Sequence, residues 1–134
     1  MGFSSRYIES TRCLLQYLDG EICIKDIHDA LNDLLLHIDQ KEDINAILPD
    51  LTGVTKFNVS SNEMLNFAQM TVTKSKNVSK IYFALVASNP VVFGMNRMWE
   101  VYSRDSGWIT DTFRTREEAE SWLCSNLDIN SLYK

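Results

Sequence analysis

Residues 80–90 read Lys-Ile-Tyr-Phe-Ala-Leu-Val-Ala-Ser-Asn-Pro. A strand with one face in water alternates apolar and polar residues. The run 81–87 does not alternate, which is the pattern of a strand covered on both faces, as in the middle of a parallel sheet. Ser88-Asn89-Pro90 then opens a helix: a polar side chain can accept from free N–H groups, and proline suits the first turn. A doubly covered strand that feeds a helix is half of a βαβ unit, so its neighbours should alternate in the same way.

Downstream they do. A helix is predicted from 90 to about 104, with Met95, Met98, Trp99, Val101 and Tyr102 as apolar positions. Ser106-Gly107 stops it. Residues 108–113 alternate as a strand. Thr115-Arg116-Glu117-Glu118 has the form of a capping box and opens a last helix with Ala119, Trp122 and Leu123 on one face. Residues 128–134 read as a loosely held tail.

Upstream, 6–10 and 13–18 read as strands, the second halted by the turn dipeptide Asp19-Gly20. Ile27, Leu31, Leu34, Leu35 and Ile38 recur at helical spacing and predict a helix over 24–38. Asp26 and Asp29 lie near its start, favourable to the helix dipole. Residues 40–43 form a polar connection. Residues 44–51 read as a strand with an edge or bulge at Pro49, and Thr52-Gly53 as a turn or bulge. Residues 54–59 return to a β pattern. Ser60-Ser61-Asn62-Glu63 is a second capping box, opening a helix with Met64, Leu65, Phe67, Ala68 and Val72 that ends in the polar stretch 74–79. The predicted order is β-β-α-β-α-β-α-β-α. This is an α/β domain with a mixed, mostly parallel sheet of about five strands and about four helices.

The chain has 134 residues, 45% hydrophobic and 23% charged, which suits one domain over 1–134 with its core at about 7–124. Its net charge of -5 disfavours phosphate backbones and anionic lipid, so no nucleic-acid partner is expected. No apolar run is long enough to span a bilayer, and residues 1–10 lack the apolar centre of a secretion signal. Cys13, Cys23 and Cys124 are odd in number and widely spaced, and read as buried, reduced thiols of a cytoplasmic protein. His28 and His37, nine apart on one helix, point to different sides. No metal-ligand spacing, cofactor loop or nucleophile–base set is visible, so no metal, no cofactor and no enzyme activity are expected.

Several stretches resemble a known family. They are Asp50-Leu51-Thr52-Gly53-Val54-Thr55, then Ala84-Leu85-Val86-Ala87 with Asn89-Pro90-Val91-Val92-Phe93-Gly94-Met95. Asn96-Arg97-Met98, Phe113-Arg114-Thr115-Arg116-Glu117-Glu118-Ala119 and Trp122-Leu123 complete the set. Together they resemble the STAS fold of anti-sigma-factor antagonists, in particular its SpoIIAA-like branch. The resemblance implies a partner-binding module whose loop before the second helix is switched by serine phosphorylation. The matching segment is Asn58-Val59-Ser60-Ser61-Asn62. Asn58 stands where the family has aspartate, and the family's glycine is missing.

Two candidate sites follow. The partner or regulatory site is Asn58, Ser60, Ser61 and Glu63, where a phosphate would meet free N–H groups, although a capped helix start gives the same pattern. The candidate ligand pocket is Ser88, Asn89, Phe93, Gly94 and Met98, at the junction where α/β folds place ligands and where Gly94 would permit close approach. Trp108 reads equally as a partner anchor or a core residue. The expected function is a non-enzymatic protein-interaction module. The alternative is a small-molecule or lipid carrier using an apolar pocket beside the third helix. The surplus of apolar residues on that helix also suits a homodimer.

Overall fold

The computed structural model describes residues 2–40, 43–76, 78 and 80–133. Its elements are β1 (Gly2–Ile8), β2 (Cys13–Cys23), α1 (Ile24–Asp39), β3 (Ala46–Asn58), α2 (Ser61–Lys74), β4 (Tyr82–Val86), α3 (Pro90–Tyr102), β5 (Ile109–Phe113) and α4 (Arg116–Leu127), with a 3-10 turn at Arg104–Ser106. The five strands lie in sequence order. β1 is antiparallel to β2, and every later pair is parallel. The fold is thus α/β with a mixed, mostly parallel sheet. No helix among the described residues is long and apolar enough to cross a membrane.

β4 shows why residues 81–87 are uniformly apolar. Phe83 and Leu85 pack under the layer of α1, α2 and α3, with Leu34, Phe67 and Trp99. Ala84 and Val86 face the other way, onto Ala119 and Leu123 of α4. Successive residues of a strand point to opposite faces, and here both faces are covered. A third cluster joins the ends of β2 and β3 to the start of α3 through Leu18, Ile22, Leu51, Val54 and Val92.

Four local expectations differ from the structure. Asp19-Gly20 does not end β2. Gly20 takes a positive φ of 72° and the register shifts beside it, but the strand continues along β3 to Cys23. Residues 46–58 form one strand, because β3 keeps this long partner: Glu21 pairs with Lys56 and Cys23 with Asn58. Pro49 therefore lies inside a central strand opposite Gln16, not at an edge. A proline there forfeits one backbone donor only. Gly53 has a steric role, since a Cβ on it would come 2.9 Å from the Cβ of Asp19.

The fourth difference is the tail, which is not loose over residues 128–133; Lys134 lies outside the described residues. Leu132 is 1% exposed, in the cluster under α4, and its carbonyl accepts from the Thr11 hydroxyl. The polar stretches 40–43 and 74–79 lie partly outside the described residues.

Candidate functional site

Between the sheet and the three-helix layer lies a cavity of about 60 Å³. Its floor is Leu18 of β2, Ile47 and Leu51 of β3, and Phe83 and Leu85 of β4. Its roof is Leu31 and Leu34 of α1, Met64 and Phe67 of α2, and Trp99 of α3. Each roof residue comes from the apolar stripe that its helix turns toward the sheet, so the walls are a by-product of amphipathic packing. No lining side chain carries a charge.

Two residues with carboxamide side chains also border it, but they turn almost none of their polar surface into the space. Gln16 is 1% exposed, and its Nε2 donates to the Ala30 carbonyl oxygen at 2.8 Å and to Asp33 Oδ2 at 3.2 Å. It is thereby fixed to α1. Asn96 is 5% exposed on the inner stripe of α3, between Val92 and Trp99. Its Nδ2 finds no acceptor among the described residues. A buried donor without a partner costs about 1–3 kcal/mol, so such groups are few in folded proteins. The Trp108 indole N–H is also unpartnered, but Trp108 does not line the cavity.

None of the pocket residues chosen from sequence lines this cavity. The third helix does contribute, but through its inner face. Ser88 is exposed, and the Asn89 side chain caps α3 by accepting from Val91 N at 2.8 Å. Phe93 lies 4.2 Å from the Arg114 guanidinium carbon, in the third cluster. Met98 packs at the margin of the first. Gly94 is exposed and a Cβ there would meet open space, so it serves no close approach. The residues sequence reasoning missed, Asn96 and Gln16, did leave a signal. Each is a polar residue on an otherwise apolar stripe: Val92, Asn96, Trp99 on the helix, and Leu14, Gln16, Leu18 on the strand.

Asn58, Ser60, Ser61 and Glu63 do come together at the end of β3, mostly as structural groups. Ser60 Oγ accepts from Glu63 N at 3.1 Å, while Glu63 Oε1 accepts from Ser60 N at 2.9 Å. Asn58 Nδ2 donates to Glu21 Oε1 at 2.7 Å. Ser61, the first residue of α2, is exposed.

The other polar groups are dispersed. No group of three or more His, Cys, Asp or Glu among the described residues could hold a metal ion. His28 lies edge-on to Phe67 with ring centroids 5.2 Å apart, whereas His37 sits beside Asp33 and Tyr7. Cys13 is buried, and burial pushes its thiol above the usual range. Cys23 is exposed, contrary to the expectation of three buried thiols, because successive strand residues face opposite ways and its neighbour Ile22 is the one turned into the core. Trp108 is a core residue, 5% exposed and stacked on Phe83.

No protein-family model, curated protein or solved structure matches the chain.

Proposed function

We propose that this domain is a non-catalytic binding module that holds a small, largely apolar molecule between its sheet and its three-helix layer. The observation that carries the reading is the apolar cavity of about 60 Å³ under α1, α2 and α3. Close-packed interiors seldom leave voids larger than a water molecule. By the scale of about 10–15 Å³ for each water-sized body, this one admits roughly four to six. That suits a molecule of a few non-hydrogen atoms and is too small for a lipid tail.

The order of elements supports the resemblance to the STAS fold, which stays part of the proposal. A partner surface over 58–67, switched at Ser60 or Ser61, is a second reading. The exposed first position of α2 at Ser61 favours it. The use of Ser60 and Glu63 in a cap weighs against it. Loss of regulation when both serines become alanine would support the switch, and unchanged regulation would remove it.

The cavity reading is tested by extracting gently purified protein and analysing the organic phase by mass spectrometry. A variant with Ala30→Leu, which fills the cavity from α1, serves as control. A small molecule released in stoichiometric amount by the wild type, and absent from the folded variant, is the expected result. Equal extracts from both would overturn the reading.

A further inference from the structure

We infer that the outer face of α3 is a pairing surface for a second copy of this chain, set antiparallel to the first with the two-fold axis near Met98. The inference does not depend on the cavity being filled. A helix on the surface of a domain turns an apolar stripe to the core and carries polar residues outside. In α3 the inner row, Val92, Asn96 and Trp99, is buried. The outer row, Val91, Gly94, Met95, Met98, Val101 and Tyr102, recurs at helical spacing and carries no charge. Val91 is 64% exposed, Val101 50% and Tyr102 52%, three of the five exposed large hydrophobic side chains among the described residues. α2 lies alongside, with Trp99 Nε1 donating to Thr71 Oγ1 at 3.4 Å. Its exposed row, Asn62, Asn66, Gln69 and Thr73, is uncharged too. Depletion of charge around methionine and aromatic side chains is the composition of an interface centre.

The occupant follows from the shape and charge of the row itself. Across a two-fold axis one face meets its own copy, and each contact occurs twice. With the axis near Met98, antiparallel helices set Val101 about level with Gly94 of the second copy, and Tyr102 about level with its Met95. Within one copy Gly94 has no neighbour to admit, since a Cβ there would meet open space. Between copies it is the notch that receives Val101, while Tyr102 on Met95 is a favourable sulfur–aromatic contact. The ends match in charge. The exposed Asp105 comes level with the first turn of the other α3, a positive helix end with no acidic residue of its own. A membrane surface fits less well, because interfacial helices are rich in Lys and Arg and this chain has a net charge of -5. A helix of 13 residues is about 20 Å long. Its face supplies only part of the ~800 Å² that each partner gives to a stable interface, so the pair is weak and reversible.

The test is sedimentation equilibrium of the full chain from roughly 1 µM to 1 mM, the range in which a weak pair forms. The expected result is an average mass that climbs from that of one chain to that of two. Gly94→Glu puts a charge into the notch, where one copy has open space, and a glutamate also favours the helix over glycine. That variant should fold and stay monomeric throughout. Leu36→Glu, at an exposed position of α1, should pair like the wild type. A wild type that stays monomeric would overturn the inference, as would a dimer that Gly94→Glu leaves intact or that Leu36→Glu breaks. A second measurement needs no variant. With ¹³C-labelled methionine methyls, the signals of Met95 and Met98 should move with concentration while that of the buried Met64 stays fixed. Silence of Met95 and Met98 in a chain that dimerises would overturn the assignment to this face.

Discussion

Ser60 satisfies a backbone N–H at the start of α2, and Glu63 returns the bond. Ser60→Ala should cost about 1 kcal/mol of stability, read from a denaturant midpoint, and Ser61→Ala much less. An equal loss at both would contradict the capping assignment. Two glycines give opposite expectations. Gly94 lies within a helix with open space around it, so Gly94→Ala should stabilise by up to about 1 kcal/mol. Gly53→Ala should destabilise, because the new Cβ would meet Asp19 at 2.9 Å. The caps were legible in the sequence because capping is a matter of three or four adjacent residues. The role of Gly94 was not, since its surroundings depend on how α3 is rotated against the sheet. Asn96 lies between: its break in the apolar stripe is visible in the sequence, but its lack of a partner is a tertiary fact.

At the scale of elements, Arg116 ties the first turn of α4 to β3 and to the tail. Its guanidinium donates to Asp50 Oδ2 at 2.9 Å, Glu120 Oε2 at 2.7 Å and the hydroxyls of Tyr17 and Tyr133 at 3.1 and 3.0 Å. Asp50 is 8% exposed and also accepts from Thr52, so it is not stranded when Arg116 is lost. Arg116→Ala should therefore destabilise by roughly 1.5–3 kcal/mol, the range for hydrogen bonds to a charged group, because the cluster is partly buried. A midpoint unchanged by that substitution would show that the cluster does not hold the element.

Tyr133 responds to pH. Burial, and then its hydrogen bond to Glu120, raise its hydroxyl above the ordinary range. The neutral form is thus the one the fold prefers. Its contribution is complete below the ordinary tyrosine range and is lost as pH climbs through the raised value. Hydrogen exchange over 128–133 should accelerate there in the wild type, and the same exchange in Tyr133→Phe should not depend on that titration. The docked tail was not legible because Ile129 and Leu132 are too few to show a period, and Thr11, the partner of Leu132, is 121 residues away.

For the whole molecule, the uninterrupted run 81–87 and the flanking caps were enough to foresee α/β alternation and a mostly parallel sheet. The true lengths of β2 and β3 were hidden, because each strand is prolonged by pairing with the other across local turn signals. The cavity was hidden more deeply. It arises where three separately amphipathic helices meet one sheet face, and no local pattern records the volume they leave. The most direct test is a crystal of the full chain under xenon pressure, since an apolar cavity of sufficient size takes up this atom. The account predicts a xenon site bounded by Leu34, Phe67 and Trp99. Side chains that close over this space, with no xenon among them, would contradict it.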